Sequence, residues 1–136
     1  MYLVDTSVWI DYINGVDTEY VAFLNQLLSN PLAVGLTHLI YMEILQGVKN
    51  QEVFDKFTLY FSGQTFYRLQ HQETSYAAAA QIYFDCRRRG ITIRSSIDSL
   101  IAQCAIENEL ILLHNDNAFQ QMASVVPLQH ICFMHQ

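Results

Sequence analysis

Short apolar runs alternate along the chain with stretches whose apolar residues recur every three or four positions. The first run, Tyr2-Leu3-Val4, predicts a strand. Residues 7–14 predict a short helix stopped by Gly15. Next, Tyr20, Val21, Leu24, Leu27 and Leu28 form a stripe at helical spacing, behind Asp17 or Thr18 as a cap. Asn30-Pro31 marks a turn, and residues 32–36 read as a second strand. Thr37 can cap a helix that reaches Gln46 and stops at Gly47. Residues 52–61 look helical, while 65–69 fit either element. Residues 73–89, rich in alanine, predict a long helix ended by Gly90. Ser96 can cap a helix running to Asn108. The continuous apolar run 110–113 predicts a buried strand. A short helix over 119–123 and a last strand over 131–134 complete the pattern. Strands alternating with helices imply an α/β fold: a three-layer α/β/α sandwich around a mainly parallel sheet of about five strands.

Composition narrows this picture without changing it. A length of 136 residues suits one domain, residues 1–136, with its own core. Hydrophobic residues make up 51% and charged residues 15%, which excludes a disordered or solvating chain. No apolar run has membrane-spanning length, and the N-terminus lacks a basic leader, so a cytoplasmic protein is expected. Cys86, Cys104 and Cys132 are widely spaced in apolar surroundings and read as reduced thiols. The net charge of −6 argues mildly against nonspecific nucleic-acid binding. Acids gathered around a metal would inflate that count while leaving the bases free to form a local patch.

Four acids carry the candidate chemistry. Asp5 follows the first strand, where open α/β sheets place their ligands. Asp116 follows a second strand in Leu112-Leu113-His114-Asn115-Asp116, and a parallel sheet would deliver both to one edge. Glu43 interrupts the apolar series Leu39, Ile40, Met42, Ile44, Leu45, so it must face solvent or a partner. Asp98 stands in the first turn of a helix, where any anion complements the dipole. Each acid has a plain structural reading of its own, a dipole partner, a solvated helix residue or a turn residue. Asp5 is the hardest to dismiss. Converging carboxylates repel unless a divalent cation holds them. A phosphatase of the haloacid-dehalogenase type would need a second aspartate two positions after Asp5, and that position is Ser7.

Taken in order, Val4-Asp5-Thr6-Ser7-Val8-Trp9-Ile10, Glu43-Ile44-Leu45-Gln46-Gly47, Ile97-Asp98-Ser99-Leu100-Ile101-Ala102 and Leu112-Leu113-His114-Asn115-Asp116 resemble the PIN-domain nucleases. Within that family they resemble the VapC-type toxins of bacterial toxin–antitoxin pairs. The resemblance implies a Mg²⁺- or Mn²⁺-dependent endoribonuclease that leaves a 5′-phosphate and a 3′-hydroxyl. It implies that Asp5, Glu43, Asp98 and Asp116 form the catalytic, metal-holding pocket. Thr6 or Ser7 would support Asp5 or the metal's waters, and Ser96 could do the same near Asp98. The resemblance further implies an RNA substrate, a VapB-like antitoxin bound across an apolar groove, and a homodimer. Trp9, Tyr12, Ile13, Leu39 and Tyr41 are either core or part of that apolar surface. One departure stands out: many relatives carry a further acid where this chain has Ala118. A degenerate, non-catalytic PIN-like module that binds RNA or protein is the competing reading.

The basic residues form one conspicuous group. Arg87-Arg88-Arg89 closes the long helix, where cations complement the dipole, and Arg94 follows. All four are candidates for RNA-backbone contact, Arg94 foremost because it is nearest to Asp98. His114 reads as a supporting residue or a spectator, since a histidine ligand suits zinc better than magnesium. His38, His71, His130 and His135 show no ligand spacing.

Overall fold

The computed structural model describes residues 1–133. Five strands, β1 (Tyr2–Val4), β2 (Val34–Thr37), β3 (Thr65–Tyr67), β4 (Ile111–His114) and β5 (His130–Cys132), form one sheet. Their order is β3-β2-β1-β4-β5, and every pairing is parallel. The central strand β1 aligns Leu3 with Gly35 on one side and with Leu112 on the other. The helices are α1 (Thr6–Ile13), α2 (Glu19–Leu27), α3 (His38–Gln46), α4 (Gln51–Phe61), α5 (Glu73–Arg88), α6 (Ser96–Glu107) and α7 (Asn117–Met122). Right-handed crossovers put α1–α4 over one face of the sheet and α5–α7 over the other. The packing follows that division: α1 meets α2 and α3, α3 meets α4, α5 meets α6, and α6 meets α7. In addition, α3 touches α6, which draws the helices carrying Glu43 and Asp98 together.

The chain runs from β1 outward to β3, then crosses back to β4 beside β1. The β1/β4 junction is therefore the switch point at which parallel sheets open a crevice beyond their carboxyl ends. Leu3, Val4, Leu36, Leu112 and Leu113 are fully buried beneath it. Trp9, Phe61, Phe119 and Met122 seal the two faces, with Trp9 edge-on to Phe61 at 5.2 Å.

Several boundaries differ from the sequence expectation. Residues 31–33 form a 3₁₀ turn rather than strand, and Leu32 is exposed. Pro31 fixes the backbone there, and the Asn30 side chain accepts the Leu32 N–H at 3.3 Å. Ser95, not Ser96, caps α6, accepting the Ile97 N–H at 3.1 Å; Ser96 is the first helical residue. The ambiguous 65–69 stretch supplies edge strand β3. Helix α5 ends one residue earlier than expected, and Gly90 follows at φ +76°, a conformation suited to glycine. The expected last strand begins one residue earlier, and its end at Met134 lies outside the described residues. All three cysteines are free, Cys86 and Cys104 buried and Cys132 half-buried.

Gly35 marks the tightest point of the sheet. A Cβ there would lie 2.7 Å from the Thr65 carbonyl oxygen and collide with the Tyr67 ring. Gly35→Ala is expected to destabilise the domain by about 1–3 kcal/mol, since overpacking at this level has that cost. A urea melt of the variant superimposing on the wild type would show that β2 and β3 can part without penalty.

Candidate active site

Asp5 is the N-cap of α1, and its backbone N–H continues the β1–β4 ladder to Leu113 O at 3.0 Å. Its position is thus set by the sheet, not by a flexible loop. The side chain is only 8% exposed, and the Thr6 backbone N–H beside it favours the ionised form. The Thr6 hydroxyl donates to Glu43 Oε1 at 2.8 Å, across from α1 to α3. The acid in the apolar α3 series therefore has a partner, and Thr6 ties it to the end of β1. Ser7 is exposed.

Asp116 is built more elaborately. It caps α7, with Oδ1 accepting the Ala118 N–H at 2.9 Å. Its own N–H donates to His114 Nδ1 at 3.1 Å. His114 Nε2 lies 2.9 Å from His130 Nδ1. Because Nδ1 accepts, Nε2 must carry the proton and donate to His130. The ring is fully buried and stands edge-on to Phe119. Burial, helped by His130, pushes its pKa down to about 4, so it stays neutral. Both ring nitrogens are engaged, which leaves His114 no lone pair for a metal. It positions the Asp116 backbone instead, joining β4 to β5 and to α7. The sequence showed His114 beside the acid, but the role of His130 depends on strand pairing.

The four acids share one electrostatic field. Burial raises the Asp5 pKa to about 7, and Glu43, Asp98 and Asp116 add to the rise. Asp98 is raised to about 6, first by burial, then by Asp116 and Glu43. Among the described residues, the ion pairs are Lys56–Glu52 and Arg88–Asp85, so none neutralises these acids. Nor do any three histidine, cysteine or acidic side chains among the described residues stand as a closed coordination cage. An all-oxygen set of this kind suits a hard cation that keeps most of its waters and binds one or two carboxylates directly. Such a cation would be held by Asp5 with one or two of Glu43, Asp98 and Asp116, and by the rest through water.

A hollow of about 300 Å³ lies at this edge, lined by Asp98, Asp116, Ala118, Arg94, Thr92 and Asn115 among others. Sequence reasoning missed Thr92 and Asn115. Asn115 Oδ1 is buried without a hydrogen-bond partner among the described residues. Ala118, which brings no acid to this position, lines the hollow. Arg94 borders it, whereas Arg87, Arg88 and Arg89 do not. Arg88 pairs with Asp85 at 3.0 Å, and Arg87 lies over the Tyr83 ring. Ser96 is exposed and lines a neighbouring hollow rather than this one. On the other side of the sheet Trp9 is core, while Tyr12 and Ile13 line an apolar groove with Phe57 and Tyr60 of α4.

The comparisons agree with this architecture. Residues 2–125 match the family model described as the PIN domain. The chain is 31% identical to the VapC ribonuclease Mb1587 of Mycobacterium bovis, over 98% of this chain and 99% of that protein. It is equally similar to ribonuclease VapC11 of Mycobacterium tuberculosis. Among solved structures, VapBC2 from Rickettsia felis bound to a promoter DNA fragment superimposes with a TM-score of 0.75 at 18% identity. That match covers 97% of this chain and 98% of the other. FitAcB from Neisseria gonorrhoeae gives a TM-score of 0.73 at 20% identity, with both chains fully covered. A strand-end aspartate at the switch point, three further acids around it and a match across most of the chain lead to one assignment: this chain belongs to the PIN-domain family, among its VapC-type members.

Proposed function

We propose that the chain is an endoribonuclease toxin that hydrolyses RNA phosphodiester bonds with the help of Mg²⁺ or Mn²⁺. The observation that carries this reading is Asp5, buried at the end of β1 beside three other acids, with no ion pair among the described residues to offset them. The curated relatives are named ribonucleases, which points the same way. When bound, the cation supplies an acidified water and polarises the phosphodiester. The chain's own residues do the rest. Asp5 is rigid because the sheet holds its backbone. Thr6 ties Glu43 to the end of β1. His114 and the Ala118 N–H fix Asp116. Arg94, at the rim of the hollow, attracts the phosphate.

The proposal extends to partners. Solved relatives are described as toxin–antitoxin complexes. We place a VapB-like antitoxin in the groove between α1 and α4, where Tyr12, Ile13, Phe57 and Tyr60 present an apolar surface. Exposed Phe54 and Leu59 on α4 extend apolar character along that helix. A homodimer working in the cytoplasm completes the reading. No helix among the described residues is long and apolar enough to cross a membrane.

The decisive experiment incubates purified protein with total RNA in Mn²⁺, in Mg²⁺ and in chelator. Cleavage in the metal-containing samples that stops with chelator is the expected result. Intact RNA under all three conditions would refute the nuclease assignment in favour of a binding module.

A further inference from the structure

A second hollow, about 510 Å³ in volume, lies between α5 and α6. Tyr76, Tyr83 and Ala80 wall one side, and Ser96 and Ser99 the other. Arg94 borders both this hollow and the acidic one, so the two are neighbours across one guanidinium. Three features set it apart from an ordinary surface groove. First, a cation stands on its wall: Arg94, one of seven lysines and arginines in a chain of net charge −6. Second, an aromatic ring and a cation meet at its wall, where Arg87 lies over Tyr83 at 5.8 Å. Third, Ser99, on the wall of the hollow, is 2% exposed, and its hydroxyl has no hydrogen-bond partner among the described residues. Buried hydroxyls in native proteins nearly always have one.

We propose that this hollow receives one unstacked base of the single-stranded RNA whose neighbouring phosphate lies at the acids. Single-strand sites combine an aromatic face for a base with cations along the backbone, and this hollow supplies both. Tyr83 offers the stacking face, Arg94 spans the phosphate between hollow and acids, and Ser96 offers a hydroxyl to a base or ribose edge. The volume falls within the range of small-ligand pockets. The inference rests on the ribonuclease reading but concerns binding, so it can fail or stand apart from cleavage.

The test measures anisotropy of a labelled single-stranded RNA hexamer on full-length Asp5→Asn protein in Mg²⁺, which holds the RNA uncut. Tyr83→Ala in that background is expected to weaken binding about tenfold, and Tyr83→Phe to preserve it, because stacking needs the ring alone. Arg94→Ala should weaken binding and lower the salt slope by about one. Hexamers with a single abasic position give the sharper readout. One such position should cost the Tyr83 protein about tenfold and the Tyr83→Ala protein nothing, a coupling that a merely structural role would not produce. No detectable RNA binding, or additive losses at every abasic position, would overturn the proposal. So would a Tyr83→Ala protein that changes from dimer to monomer with RNA affinity unchanged, since the face would then join two copies. Coupled binding without cleavage by the wild type in Mn²⁺ would support the base site and refute the nuclease.

Discussion

Asp5→Asn is expected to lower RNA cleavage about a thousandfold, because a lost metal-held carboxylate removes several kcal/mol of transition-state stabilisation. The same substitution should leave the fold intact. Asparagine matches the shape of aspartate, and the backbone ladder to Leu113 is unaffected. It should even stabilise the metal-free protein. The rise of the Asp5 pKa from 3.8 to about 7 corresponds to about 4 kcal/mol at most above that pH. Water entering the metal-free pocket screens part of this, so a gain of about 1–2 kcal/mol is expected at pH 8. Cleavage assays and urea melts on one preparation check both halves. Wild-type cleavage rates in the variant would remove Asp5 from the mechanism, whatever the melts show.

The second large effect links stability, pH and metal. Asp5 and Asp98 hold their protons more tightly when folded than when unfolded. The unfolded chain has already released those protons near pH 4, while the folded chain gives them up only near pH 6 to 7. The contribution of this pair is therefore most favourable at low pH and falls as pH rises through about 7. A divalent cation restores it by binding the ionised acids of the folded state alone. At a hundredfold excess over its dissociation constant, a ligand adds about 2.7 kcal/mol. Thermal melts in Mn²⁺ should thus show a rise of several degrees at pH 8 and little change near pH 5, where the cation competes with protons. An equal rise at both pH values would show that the cation binds away from these acids.

Much of this protein was legible in one dimension. Strand β1 ends at Asp5 because three apolar residues give way to an acid and two hydroxyls, a local pattern that needs no tertiary contact. Thr37 caps α3 and accepts the Ile40 N–H, as its position before an apolar helix suggested. Gly90 follows α5 in the left-handed conformation for the same local reason. Other features were hidden. Strand β3 has only three residues, all half-buried, and exists because β2 offers it an edge to pair with. Leu32 looked like strand, yet Pro31 and the Asn30 side chain held it in a turn.

The candidate site divides along the same line. The sequence by itself determined which side chains could do the chemistry: Asp5, Glu43, Asp98 and Asp116 are recognisable by type, local context and order. Only the tertiary structure decided how they are held. Thr6 reaches Glu43 across 37 positions, and His114 meets His130 because β4 pairs with β5. It also separated Arg94, at the acids, from Arg87, stacked on Tyr83 at the neighbouring hollow. The physical reason is range. Caps, stops and apolar runs act within one turn of the chain, whereas burial, charge coupling and hydrogen bonds between elements arise when the sheet brings distant residues to one edge.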